Sequence, residues 1–273
     1  GITEETTKKI QIGIDNLIAK QKISGAFGYW DRNSAVYERF QPYAVDTLQK
    51  ALPFASDKEK VEAAIENGLE YLYRTSFRDA ETKLYSYGLL AKAGYEVTSR
   101  ARYSIDQELN NDVWEYVVPP KDLATYIDDL VLAYWVSANL NDTKRMLQVA
   151  DTARFTLEQR TLDEPIIQLV SGSWISTKNS QVSKIKNKSS LRYAHLLTDL
   201  SSDQLAPVFE TIIENTHEYL AQQQYRSTHS NAKLVTLQKY QERSLSGTVV
   251  SLDGVKYELD ETGSLPISLK QLT

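Results

Sequence analysis

The chain has 273 residues, a formal net charge of −5 and a hydrophobic content of 41%, so it can bury a sizeable core. Acidic and basic residues are mixed along the sequence and its pI is near 5.4, which excludes the basic surface that nucleic acid requires. Cysteine is absent, which excludes disulfides and thiolate chemistry within these residues, and no apolar run approaches the length of a membrane span.

Helical periodicity dominates the first nine-tenths of the chain. Asp57 is predicted to cap one helix and Gly94 to close another. The segment before residue 140 is apolar nearly all round, as Leu130, Tyr134 and Trp135 show, and is expected to lie inside. The predicted helices span residues 4–21, 41–52, 58–74, 79–93, 98–109, 121–139, 143–159, 190–200, 204–223 and 230–243.

Two segments have the alternating pattern of strands instead. Residues 164–188 are rich in β-branched side chains and predict an inserted β-hairpin. Residues 247–269 alternate again, with Asp253-Gly254 as a hairpin turn. We therefore predict a helical domain at 1–244, and a β-strand segment at 245–273 that begins a following β-sandwich domain.

Successive helices form antiparallel pairs of roughly 35 to 45 residues, which is typical of a solenoid or of a closed ring. No sequence motif recurs from pair to pair. The periodicity alone permits either architecture, including an open solenoid scaffold that binds peptides.

Three stretches carry a resemblance to a known family. The first comprises GIDNL at 13–17, Gln21, GAFGYWD at 25–31 and YAVD at 43–46; the second is YRSTH at 225–229, after the helix that Ser190-Leu191-Arg192 begins. The first stretch is similar to the pattern G-I-x-x-L, Q, G-G-F-x-x-W-D and A-Y-V-x-D-F-L in the thioester domain of bacterial α2-macroglobulins. The second is similar to W-L-S-T-Q in the same domain. The third, the β segment at 247–269, resembles the strand-rich domain that follows.

This resemblance implies a mainly α fold, an α/α toroid of antiparallel helix pairs. It also implies a role without catalysis in a protein that traps proteases by changing shape. The expected partners are other domains of the same parent chain and target proteases, and the expected location is the periplasm or cell envelope.

The sequence departs from the family pattern at informative positions. His229 stands where the family has Gln, and Ala26 replaces the second Gly of the Gly-Gly-Phe turn. The family's thioester joins a Cys thiol to a Gln in a G-C-x-E-Q motif, and this chain has no Cys. We interpret residues 1–7 as the loop before the first helix, with Thr3 or Thr6 as its cap, rather than as a degenerate thioester motif.

The paired acids Asp128 and Asp129 are the strongest catalytic candidates, because paired acids bind metal or protonate substrates in toroidal cyclases. No third acid follows at D-D-x-x-D spacing. We therefore favour a structural interpretation in which one Asp faces solvent and the other pairs with Arg or Lys. A toroid enzyme, such as a cyclase, a transferase or a glycoside-processing enzyme, is kept as the alternative function.

The histidines predict no site. His195, His217 and His229 lie on separate elements without the i, i+4 spacing of a zinc helix, and His195 is expected to be a core residue. Residues 226–229 open the last helix, where a Ser or Thr cap is expected, and Ser227 lacks the G-x-S-x-G context of a hydrolase nucleophile.

The Gly-rich stretch 25–31 is predicted to be a structural turn, because no Lys with Ser or Thr follows at a helix start as in phosphate-binding loops. Phe27, Tyr29 and Trp30 are expected to plug the space between the first two helix pairs rather than to form the lip of a cavity. We predict no catalytic, cofactor-binding or metal-binding residue and no cofactor.

Overall fold

The computed structural model describes residues 4–109, 123–163, 166–170, 173–176, 192–222, 228–245, 249–252 and 255–258. The chain is mainly helical, which confirms the predicted class. The helices are α1 (Glu4–Ala19), α2 (Phe40–Ala51), α3 (Lys58–Arg74), α4 (Ala80–Lys92), α5 (Thr98–Leu109), α6 (Leu123–Asn139), α7 (Thr143–Asp163), α8 (Pro207–Gln222) and α9 (Thr228–Leu245). Short 3-10 turns lie at Leu52–Phe54, Ala194–Asp199 and Ser202–Gln204.

Local capping chemistry sets several helix ends. The side chain of Asp57 accepts a hydrogen bond from the Lys60 amide at 3.0 Å, which confirms it as the cap of α3. Asp79 caps α4 in the same way through the Thr82 amide. Gly94 follows α4 with a φ of +81°, a conformation that glycine adopts without strain.

Several predicted helix boundaries are wrong, and α7, for example, runs to Asp163 rather than to residue 159. α1 ends at Ala19, because the next residues turn and Gln21 forms a bridge with Phe27. The described part of 190–200 is a turn followed by a 3-10 helix, and its side chains from 193 to 198 are all buried. α8 begins at Pro207 rather than at residue 204, because proline suits the first turn of a helix.

The start of α1 corrects the interpretation of the first residues. Glu4–Ala19 is helical, so Thr6 lies within the helix and cannot be its cap. The alternative cap Thr3 lies outside the described residues.

Two antiparallel strand pairs are present. β1 (Ile166–Val170) pairs with β2 (Ser173–Ser176), and β3 (Val249–Leu252) pairs with β4 (Val255–Glu258). Much of the two segments in which the sequence predicts strands, including the Asp253-Gly254 turn, lies outside the described residues. The inserted hairpin and the following β domain stay predictions.

The chain forms two compact units. Unit 1 comprises Gly1–Val118 and Leu132–Val149, and unit 2 comprises Pro119–Val131 and Ala150–Thr273. The predicted domain boundary at 244/245 remains a prediction. Among the described helices, none combines the length and apolar character needed to span a bilayer.

In unit 1, small residues allow close packing. A Cβ at Gly68 of α3 would lie 2.7 Å from Val45 Cγ2 and 3.3 Å from Phe27 Cε2, so the absent side chain brings α2 and α3 together. At Gly88 of α4 a Cβ would overlap the ring of Trp135 on α6. Glycine at both positions is therefore part of the core packing.

Every side chain of α6 from residue 127 to 138 is buried, as the all-round apolar pattern predicts. The hydroxyl of Ser137 donates to the Ala133 carbonyl at 2.7 Å, so this buried polar group is paired within the helix. Within unit 2, α8 packs against α9 and the 3-10 turn Ala194–Asp199. Phe209, Ile213 and Leu237 are fully buried there.

Substitution of Gly88 tests this packing. Gly88→Ala should destabilise the chain by about 1–3 kcal/mol, because the new methyl group must displace the buried Trp135 ring. Gly13→Ala is the matched control: Gly13 is also helical, but a methyl group there would meet no neighbouring atom within 4 Å, so about 0.5–1 kcal/mol of stabilisation is expected. Urea unfolding followed by circular dichroism measures both, and equal changes would contradict the packing argument.

Candidate functional site

The segment between α1 and α2, residues 20–39, contains the strongest sequence motif and is built from backbone pairs. Gln21 pairs with Phe27, and Gly28 with Val36, through isolated antiparallel bridges. The segment is thus a hydrogen-bonded structural turn.

The side chain of Gln41 holds this turn from α2. It is fully buried, and its Oε1 accepts from the Phe27 amide at 2.7 Å. Its Nε2 donates to the Phe27 carbonyl at 2.9 Å and to the Tyr37 carbonyl at 3.0 Å. One carboxamide therefore pairs both backbone groups of Phe27, as a neighbouring strand would.

Gln21 connects the same turn to α3. Its Nε2 donates to the Ala64 carbonyl at 2.8 Å and to the Gly25 carbonyl at 3.2 Å. Because Ala64 lies in the middle of α3, this pair of bonds fixes the turn against the helix that packs beneath it.

The glycines of the turn have specific steric roles. Gly25 has a φ of +87°, and a Cβ there would overlap the Asn67 carbonyl on α3. A Cβ at Gly28 would overlap the Asp31 carbonyl. Ala26 stands where the α2-macroglobulin pattern has a second Gly, and its methyl group is buried within the turn. Glycine is thus needed at 25 and 28 because backbone passes too close for a side chain.

The aromatic residues of the turn divide into two environments. Phe27 is buried at 1% exposure and packs in the core, as predicted. The prediction that Tyr29 and Trp30 also plug the interior is wrong: they are 45% and 76% exposed. Tyr29 contacts Trp30 edge-on, with ring centroids 4.8 Å apart, and Tyr37 similarly at 5.8 Å. These rings pack on one another at the surface.

A second polar contact joins α2 to α4. The hydroxyl of Tyr85 donates to Asp46 Oδ2 at 2.7 Å, and Lys50 Nζ donates to the same oxygen at 2.8 Å. Tyr85 also stacks edge-on against Trp135, with centroids 5.9 Å apart. Asp46, part of the sequence motif, therefore serves the packing of unit 1.

A network of charges joins α5 to the start of α7. Asp142 Oδ2 accepts from Arg102 Nε at 2.8 Å and from Arg145 Nη1 at 3.2 Å. Arg145 Nη2 also contacts Asp106 Oδ2 at 2.8 Å. The Arg145 amide donates to Asp142 Oδ1 at 3.3 Å, so Asp142 also caps α7.

The network favours the charged form of Asp142. Burial alone raises the pKa of this carboxyl, but hydrogen bonds from the Arg145 amide and the Arg102 guanidinium, with the charges of both arginines, outweigh it, so the pKa lies below the ordinary value. The pKa of Arg145 is raised, chiefly by its hydrogen bond to Asp106. Asp142 therefore stays ionised and paired throughout the neutral range.

The candidate acids Asp128 and Asp129 are both buried, at 1% and 2% exposure. The prediction that one of them faces solvent is therefore wrong. Asp128 Oδ1 accepts from the Arg192 amide at 2.6 Å, and its Oδ2 lies 3.4 Å from Arg192 Nε. The predicted pairing with Arg is confirmed for Asp128, which holds the turn before Ala194–Asp199. Burial of both acids follows from the burial of α6 on every side.

The histidines and the residues around Ser227 lie on separate elements and form no common site in the described part of the chain. His195 is buried in the 3-10 turn of unit 2, as predicted, and His217 is partly buried on α8. His229 belongs to α9. Ser227 and Arg226 lie outside the described residues, and Thr228 is the first residue of α9. Within the described part of the chain, no group of three or more His, Cys, Asp or Glu has the arrangement of a metal site.

Sequence reasoning missed three polar residues with several partners each. Gln41, Asp142 and Arg145 were not singled out, and their partners lie 14, 40 and 39 residues away. One local signal exists: Asp142 follows the Asn141 turn and precedes a helix, which is the position of an N-cap.

Comparison with known proteins gives likeness at the level of the fold. No family model and no curated protein matches the chain. Solved structures do: native E. coli α2-macroglobulin from domain MG7 to the C-terminus has a TM-score of 0.55 at 17% identity over 93% of this chain and 38% of that chain. E. coli α2-macroglobulin activated by porcine elastase gives 0.55 at 16% identity, over 93% and 21%.

Salmonella α2-macroglobulin reacted with methylamine gives 0.55 at 19% identity, over 93% of this chain and 16% of that chain. For trypsin-activated E. coli α2-macroglobulin the TM-score is 0.52 at 17% identity, over 86% and 15%. The chain thus corresponds to well under half of each of these proteins, and the likeness establishes the fold.

Gln41→Glu tests the turn. The nearly isosteric carboxylate cannot donate to the Phe27 and Tyr37 carbonyls, so about 1–3 kcal/mol of stability should be lost at pH 7. Protonation restores a donor, so the folded-state pKa of the new Glu is raised, and the loss should shrink as pH falls toward the unfolded value of about 4.3.

The control is Gln11→Glu, because among the described residues the Gln11 side chain bonds through its Oε1 alone, which accepts from the Ser56 amide, and a carboxylate keeps that bond. Urea unfolding at pH 7 and pH 4 measures the change. A loss for Gln41→Glu that does not depend on pH would contradict the donor argument.

Asp142→Asn tests the charge network. Removing the carboxylate should cost about 1.5–3 kcal/mol at pH 7, since Arg102 and Arg145 lose their charged acceptor. The folded pKa is depressed, so this stability is fully present above the unfolded value of about 3.9 and is lost as pH falls through the folded pKa. The difference between parent and variant should therefore narrow at acid pH.

Asp151→Asn is the matched control, because Asp151 forms an exposed i, i+3 pair with Arg154 and should change stability by less than about 0.5 kcal/mol. Thermal or urea unfolding across pH 2.5–7 separates the two. A gap between parent and Asp142→Asn that stays constant down to pH 2.5 would rule out the proposed ionisation.

Proposed function

We propose that this chain is a non-catalytic domain of a protease-trapping envelope protein similar to the α2-macroglobulins. Residues 1–244 would form an α/α toroid of the thioester-domain type, and residues 245–273 would begin the next β domain. The observation that supports this proposal most directly is fold likeness over 86–93% of the chain to several bacterial α2-macroglobulins. The order of the motif segments along the sequence agrees with it.

The proposed role is that of a rigid body. The neighbours include a native protein and forms activated by trypsin or elastase, and the likeness is similar in each case. Such a domain keeps its fold while its parent changes shape. The buried amide bonds of Gln41 and Gln21 support this role, because they fix the turn between α1 and α2 to the helices around it.

The proposed partners follow from the same relation. Within a trap the chain would contact other domains of its parent, and the trap as a whole would hold target proteases in the periplasm or cell envelope. A covalent thioester would need a Cys supplied from outside these residues, since the chain contains none.

The alternative, a toroid enzyme, requires acids that face an open cavity. Asp128 and Asp129 are nearly inaccessible, and Asp128 is held by Arg192. This arrangement suits a structural carboxylate better than one that protonates a substrate or binds a metal. The burial therefore favours the non-catalytic proposal.

The test uses the natural full-length protein that contains these residues. After incubation with trypsin, we expect trypsin to co-elute with it in size exclusion and to cleave a small chromogenic amide, while casein is protected. Catalytically inactivated trypsin is the control and should not be captured. Hydrogen exchange should remain unchanged in α2, α3 and α4 after cleavage, because a rigid domain keeps its backbone hydrogen bonds.

Two results would overturn the proposal. If active trypsin neither co-elutes nor loses access to casein, the protein is not a trap. If trapping occurs but exchange in α2–α4 rises strongly after cleavage, the domain unfolds during activation and the rigid-body role is wrong.

A further inference from the structure

Unit 1 carries an open groove of about 430 Å³ that the proposed trapping role does not use. It lies between the end of α2, one face of α3 and the residues that follow α4. Leu52, Ile65, Leu69 and Ala93 give it apolar walls. The volume falls in the lower part of the range for small-ligand pockets, enough for one long side chain and its adjoining backbone.

Two carboxylates also line this groove. Glu62 and Glu66 are one helical turn apart on α3, and both side chains are exposed. Like charges at this spacing repel each other. The next acid along, Glu70, is paired with Arg74, whereas neither Glu62 nor Glu66 has an ion pair within the described part of the chain. The groove therefore has two carboxylates at its edge without an ion pair among the described residues.

Tyr95 also lines the groove, and the pKa of its hydroxyl is raised. Burial raises the pKa of its hydroxyl, the charges of Glu70 and Glu66 raise it further, and Arg74 opposes them. The phenol therefore stays protonated at neutral pH and gives the groove lining a neutral polar group.

We propose that this groove binds a lysine side chain presented by a protein partner, with its methylene groups along Leu52 and Ile65 and its ammonium group between Glu62 and Glu66. Lysine suits both parts of the groove, because its aliphatic stem packs on apolar surface while its charged end stays at the solvent edge. A bare metal ion would leave the apolar walls unused, and an anion would be repelled. A purely apolar side chain would leave the two carboxylates unpaired.

The test uses the 273-residue chain and two capped tripeptides, acetyl-Gly-Lys-Gly-amide and acetyl-Gly-norleucine-Gly-amide, which differ in the ammonium group. Methyl NMR shifts of Leu52, Ile65 and Leu69 report binding. We expect saturable shifts with the lysine peptide and much weaker ones with the norleucine peptide. Glu62→Gln combined with Glu66→Gln should weaken lysine binding about tenfold, since two partly exposed ion pairs are lost.

The matched control replaces Glu4 and Glu59, two exposed acids outside the groove, by Gln, which changes net charge equally. It should leave binding within about twofold, as long-range fields are screened by salt. A urea titration of each variant checks that both are folded.

Three results would contradict the proposal, each for a different reason. Equal shifts with both peptides would show an apolar groove without cation recognition. Equal binding by the Glu62/Glu66 variant would remove the carboxylates from the site. Binding of n-butylamine as tight as the lysine peptide would make this a small-amine site rather than a protein-docking site. Any of these results overturns the proposal, and none depends on whether the parent protein traps proteases.

Discussion

The pairing of buried backbone groups between α1 and α2 is the constraint on which unit 1 depends. Phe27 must enter the core, and its amide and carbonyl lose water when it does. Gln41 replaces that water with two hydrogen bonds from one side chain, while Gln21 ties the same turn to α3. Without these amides, burying the turn would leave polar groups unpaired, and the apolar gain from Phe27 would be offset.

The sequence predicted best what local chemistry controls. α3 and α5 have the predicted bounds, and Asp57 caps α3, because capping and helical period act within a few residues. Prediction failed where tertiary contacts decide the backbone. The segment after residue 190 contains apolar residues at helical spacing, but it forms a turn and the 3-10 helix Ala194–Asp199, which packs against α8 and α9.

The candidate site shows the same division. The family-like motif correctly located the turn at 25–31, but spacing alone could not separate the buried Phe27 from the exposed Trp30, because each lies two residues after a glycine in an irregular loop. Pairing with an Arg or Lys was predicted for one of the two acids Asp128 and Asp129, but the partner of Asp128, Arg192, lies 64 residues away. Contacts of this separation depend on how helices pack, and one sequence contains no direct signal for them.

Low identity and shared fold are compatible because few positions set the core geometry. Gly88 must lack a side chain where Trp135 packs, and Gly25 where the Asn67 carbonyl passes. Most exposed positions are free of such limits. The acids of α3 that line the groove, Glu62 and Glu66, belong to this free surface, so packing does not explain them. Their mutual repulsion costs stability, and the lysine proposed for the groove would offset it. It is at such surface positions that proteins of one fold acquire different partners.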